Sequence, residues 1–71
     1  MPSKDDWFID WTLATPMPKQ ARIDGIRKLV YQSHSVEPVM LPVQFKRLTG
    51  AQRSELIHYP DKYIKLLEDT R

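Results

Sequence analysis

Asp5-Asp6-Trp7-Phe8-Ile9-Asp10-Trp11-Thr12-Leu13 decides the fold, because it holds both tryptophans and one of the two phenylalanines and can be read with two periods. As a helix it starts well. Ser3 and Asp6 stand in the S-x-x-D relation of an N-terminal cap, and Asp5 and Asp6 suit the positive end of the helix dipole. Trp7 and Trp11 then share a face at i, i+4. As a strand, Trp7, Ile9, Trp11 and Leu13 alternate strictly with Phe8, Asp10, Thr12 and Ala14, in residue types that favour β structure. The helical reading predicts a mainly α fold, a small single domain of three to four short helices. The strand reading leaves an α+β alternative, with short strands at 7–13 and 39–45 covered by the later helices.

Working outward, Thr15-Pro16-Met17-Pro18 is a connector, and its prolines suit the first turn of a following helix. From Lys19 to about Gln32, Ile23, Ile26 and Val30 form one helical stripe with Leu29 at its edge, while Arg22, Arg27 and Lys28 lie off it. Asp24-Gly25 is a rival hairpin signal. A turn there would set Arg22 against Arg27 across the strands, and alternation fails at Lys28-Leu29-Val30. A helix is therefore expected, at a cost of about 1 kcal/mol for the internal glycine.

Residues 33–38 read as loop. Val39, Leu41, Val43 and Phe45 alternate, but Pro38 and Pro42 restrict that stretch to an edge strand. Its rival is a short helix from Pro42 that lines up Leu41, Phe45 and Leu48. Thr49-Gly50-Ala51-Gln52 is a T-x-x-Q capping box, which predicts a helix through about His58 with Leu48 placed to staple its start. Tyr59-Pro60-Asp61 breaks and restarts the helix. Tyr63, Ile64 and Leu67 then face inward with Leu66 beside them, and Lys62, Lys65, Glu68 and Asp69 face water. The expected core is Trp7, Trp11, Ile23, Ile26, Val30, Phe45, Leu56 and Leu67.

Composition narrows function mainly by exclusion. Seventy-one residues without a cysteine hold neither a disulfide framework nor a thiolate metal site, and two histidines are too few for a structural zinc. With 41% hydrophobic and 10% aromatic residues the chain is expected to fold rather than stay disordered. No apolar run exceeds three residues, and Met1 to Asp6 lacks the pattern of a signal peptide, so a soluble cytoplasmic protein without membrane contact is expected. Charge is unevenly placed. Residues 1–17 carry one lysine against three aspartates, 18–53 carry seven basic residues against two acidic ones, and 54–71 carry three against four, for a total of +2. A basic middle between acidic ends suits shielding within one molecule or a head-to-tail contact between copies, hence a homodimer.

Catalysis has little to work with. Ser33-His34-Ser35 holds a hydroxyl and an imidazole, but neighbours in sequence rarely face one another, and His58 is better placed to meet the negative end of a helix. No phosphate loop, metalloprotease or calcium-loop pattern occurs. A non-enzyme without cofactor or metal is expected.

Two binding roles remain. The first is protein recognition: Trp7, Phe8, Ile9 and Trp11, flanked by Asp5, Asp6 and Asp10, hold more apolar surface than one helix face can bury, and the surplus would anchor a larger protein or complex. The alternative is a small DNA- or RNA-binding regulator. Gln52 and Arg53 would then meet base edges at the start of a second helix, while Lys19, Arg22, Arg27, Lys28, Lys46 and Arg47 hold phosphates. In size, cysteine usage, N-terminus and mixed surface charge the sequence resembles the short regulatory proteins of phages and plasmids. That resemblance, which covers no motif, implies an inhibitor that binds and blocks a larger machine.

Overall fold

The structure, a computed structural model, describes residues 6–14 and 16–69, and in them the chain forms five helices and no strand. They are α1 (Asp6–Ala14), α2 (Lys19–His34), α3 (Val43–Lys46), α4 (Gly50–His58) and α5 (Pro60–Asp69). The strand readings of 7–13 and 39–45 are thereby corrected. A strand at 7–13 needs a partner edge, and the candidate at 39–45 is broken at Pro42, which opens helix α3. The cap proposed at Ser3, with Asp5, lies outside the described residues, as does Thr15 of the first connector.

Helix α2 is the central element and packs against both α4 and α5. Contact on two sides widens its inner face beyond the stripe read from sequence. Arg22, Ile23, Gly25, Ile26 and Leu29 are buried, whereas Val30 is half-buried at the edge. Arg22, expected to face water, lies against the core, and burial lowers its pKa. The helix also runs through His34, so the loop begins at Ser35. Ser33 Oγ donates to the Val30 carbonyl at 2.7 Å, while Ser35 turns extended and its Oγ accepts from Glu37 N–H at 3.1 Å.

Gly25 stands mid-helix because a ring occupies the place of its side chain. A Cβ built there would run into Cε2 and Cζ of Phe45 and come within 2.9 Å of Cδ2. Phe45 belongs to α3, entered through Pro42, and is completely buried. On its other side it meets Trp11 edge-on, with ring centroids 5.1 Å apart and planes at 76°.

The two tryptophans flank the core rather than fill it. Phe8 takes the inner position of α1 at 1% exposure, with Thr12 buried one turn on and its hydroxyl donating to the Ile9 carbonyl at 2.8 Å. Phe8 packs on Tyr63 at 4.8 Å, Trp7 on Tyr63 at 5.7 Å, and Trp11 on Phe8 at 5.7 Å. A phenyl ring brings no polar atom inside, whereas each indole carries an N–H that needs a partner, so Phe8 is the better occupant of the centre. The buried core is completed by Leu48, Leu56, Tyr63 and Leu67.

Ends of helices are secured as the turn residues imply. Gln52 N–H donates to Thr49 Oγ1 at 3.2 Å and Thr49 N–H donates to Gln52 Oε1 at 3.0 Å, a reciprocal capping box. Tyr63 Oη donates to Glu55 Oε2 at 3.1 Å and ties α5 to α4 across the break at Tyr59. Lys19 Nζ reaches the Glu68 carbonyl at 3.3 Å, so the start of α2 meets the end of α5.

Two stability effects follow. Gly25→Ala gains about 1 kcal/mol of helix propensity but overpacks Phe45, and the net loss is about 1–3 kcal/mol in urea unfolding, partly recovered by adding Phe45→Leu. Thr49→Ala costs about 1 kcal/mol in the same assay, and Gln52→Ala costs part of that.

Candidate interaction surface

The short helix α3 divides two depressions, and its place against Gly25 and Trp11 sets both of them. On one side, between the end of α1 and α3, lies a hollow of about 430 Å³ lined by Trp11, Ala14, Pro16, Val43, Gln44 and Arg47. On the other, a groove of about 660 Å³ runs between the end of α2, α4 and the 39–41 segment. Leu29, Val39, Leu41 and Ile57 supply its apolar wall, and Lys46 and Arg53 its charge.

The residues expected to anchor a partner are divided by this arrangement. Phe8 is withdrawn from any contact surface, since it is the best-buried residue of α1 and its ring is enclosed by Trp7, Trp11 and Tyr63. Trp7 and Trp11 are half-buried, each offering an edge. Ile9 and Asp10 are exposed, Asp6 is half-buried, and Asp5 lies outside the described residues. The largest exposed aliphatic group on α1 is Leu13, 69% accessible, which the sequence reading left out of the site.

Exposed apolar surface gathers elsewhere as well. Val36 is fully exposed and Met40 89% exposed, both within the eight residues that join α2 to α3, and Val43, which opens α3, is 61% exposed. In the sequence the alternation of Val39, Leu41 and Val43 supports an edge strand as one reading and a short helix from Pro42 as the other, and neither marks Val36 or Met40 as exposed. Prolines 38 and 42 keep the segment extended without pairing it, and among the described residues Val39, Met40 and Leu41 make no backbone hydrogen bond.

The basic set is divided too. Gln52 is held by the capping box, Arg53 Nη2 donates to the Lys46 carbonyl at 2.7 Å, and Arg22 is buried. Three of the eight residues proposed for nucleic-acid contact thus take part in the fold. Lys19, Arg27, Lys28, Lys46 and Arg47 are exposed; Lys19 is engaged with Glu68 and Arg27 lies 4.0 Å from Asp24. Arg47 shares the hollow with Trp11, which joins the anchor set to the basic set at one place.

The histidines meet only local neighbours among the described residues, with Ser54 Oγ 3.2 Å from His58 Nδ1. The hydroxyls of Ser33 and Ser35 are used by backbone groups rather than by His34, and His58 Nδ1 lies 2.8 Å from the Ser54 carbonyl, to which it donates. Among the described residues, no three His, Asp or Glu side chains cluster as metal ligands, and no helix is long and apolar enough to cross a membrane. Comparison with known proteins gives no match: no family model, curated protein or solved structure resembles the chain closely enough to lend it a family or a function.

Because Trp11 is a wall of the core as well as a wall of the hollow, Trp11→Ala lowers stability by about 2–3 kcal/mol in urea unfolding. Leu13→Ala changes it by less than about 0.5 kcal/mol, which separates structural from purely exposed residues of α1.

Proposed function

We propose that this chain is a non-catalytic interaction protein that acts stoichiometrically, occupying a surface on a larger protein through the hollow between α1 and α3. The observation that carries this reading is the meeting of the Trp11 edge, the exposed Val43 and the Arg47 guanidinium in one concavity. Tryptophan and arginine are the residues most enriched at the energetic centres of interfaces. The hollow suits an apolar side chain with a carboxylate next to it: the first removes Val43 and the indole edge from water, and the second pairs with Arg47. Such a partner is blocked or remodelled by occupancy alone, and no step needs a nucleophile or a metal.

The nucleic-acid reading draws less support. The two side chains assigned to base edges, Gln52 and Arg53, are spent on a helix cap and on the Lys46 carbonyl. The remaining cations are spread over α2 and α3, and a total charge of +2 supplies little of the phosphate neutralisation that drives such binding.

The test is affinity capture from the source cells with mass spectrometry, using the wild-type chain beside the exposed-site variants Val43→Asp and Arg47→Glu. One dominant protein is expected with the wild type, reduced at least ~10-fold by either variant while the circular dichroism melt is unchanged. A partner retained equally by both variants would remove the hollow from the interface. Salt-sensitive binding of DNA or RNA by the pure protein, lost in Arg47→Glu, would replace the reading with the nucleic-acid one.

A further inference from the structure

The groove on the far side of α3 is a second surface, with a charge of its own. Its lining includes Lys46 and Arg53 and no carboxylate, and Lys46 forms no ion pair among the described residues. Leu29, Leu41 and Ile57 form an apolar wall beside it, continued by the exposed Met40. The occupant that fits is a short helix with aliphatic side chains on one stripe and a carboxylate next to them.

The chain itself carries one. On α1, Ile9 and Leu13 stand four residues apart, a rise of about 6 Å, so they form one stripe. Both are exposed, and Asp10 is exposed beside them without an ion pair among the described residues. This stripe lies on the side of α1 away from the hollow, which takes Trp11 and Ala14. Helix α5, the other acidic candidate, alternates Asp61, Lys62, Lys65 and Glu68 and presents no comparable single sign of charge. Since α3 stands between α1 and the groove, a copy cannot fill its own groove with its own stripe.

We infer that the groove receives the Ile9–Leu13 stripe of α1 from a second copy of this chain, with Asp10 of one protomer set against Lys46 of the next. The contact is heterologous: stripe and groove are different surfaces, so a bound pair still has one stripe and one groove free, and assembly continues into a ring or an open chain. One nine-residue helix in a shallow groove is a small interface, and the association is weak and rises with concentration. It also sharpens with falling salt, because the acidic N-terminal segment approaches the basic middle of its neighbour. This inference is independent of the proposed protein partner, because it uses another surface and is tested on the pure protein.

Sedimentation velocity from micromolar to millimolar concentration, at low and at high salt, tests it. The wild type is expected to grow beyond a dimer at low salt, with Leu13→Asp and Lys46→Glu each weakening association at least ~10-fold. Both substituted residues are exposed, and unchanged circular dichroism melts exclude unfolding as the cause. The decisive arm mixes the two variants. Leu13→Asp keeps an intact groove and Lys46→Glu an intact stripe, so the mixture forms a one-to-one dimer that grows no further. A wild type that stays monomeric at low salt, association unaffected by either variant, or a mixture that does not pair would each overturn the inference.

Discussion

The architecture depends on a ring laid against bare helix backbone. Phe45 sits where Gly25 has no side chain, and Trp11 closes its outer side at 5.1 Å. The four residues of α3 could not hold a helix alone, because nucleation is unfavourable and so few residues cannot recover its cost. Their position comes from the one side chain they bury. Once Phe45 is seated, Val43 and Arg47 fall toward α1 and Lys46 toward α4, and the surface divides into hollow and groove. A change at Gly25 therefore reaches both surfaces without touching either.

Aromatic contact is how a chain of this size manages without a disulfide. Small domains bury a low fraction of their surface, so each buried residue must remove much area from water. Trp7, Tyr63, Phe8, Trp11 and Phe45 form a continuous series of ring contacts that joins α1, α3 and α5. The tryptophans sit at its edges and keep part of each ring accessible. The same side chains thus support the fold and shape the surface, and in Trp11 the two roles cannot be separated by removing the ring.

Local signals in the sequence were read well where they obey hydrogen-bond chemistry. The capping box at Thr49 and Gln52, the restart at Pro60 and the entry to α3 at Pro42 all stand where donors, acceptors and fixed φ angles require. What was not legible depends on how helices sit against one another. Leu29 and Val30 exchange core and edge, Arg22 turns inward, and Phe8 displaces both tryptophans from the centre, because α2 is contacted from two sides and α1 is rotated to put a donor-free ring innermost. Periodicity marks an apolar stripe on a single helix; it does not say which flank of the stripe a neighbour will cover. Gly25 shows the same limit: it reads as a cost within α2, and its reason lies 20 residues away in Phe45.

Of the candidate site, the residue types were legible and their grouping was not. The basic middle looked like one surface, yet folding divides it. Arg22 is buried, Gln52 and Arg53 satisfy backbone groups, Lys46 lines the groove beside Arg53, and Arg47, its neighbour in sequence, lines the hollow. Neighbouring cations at the end of a one-turn helix point about 100° apart, enough to send one to each flank of it. A charge excess counted along the chain is therefore resolved into two separate electrostatic contacts, each next to its own apolar wall. On the proposed reading, that arrangement suits compact apolar-acidic elements better than a polyanion, which needs its cations in a continuous row.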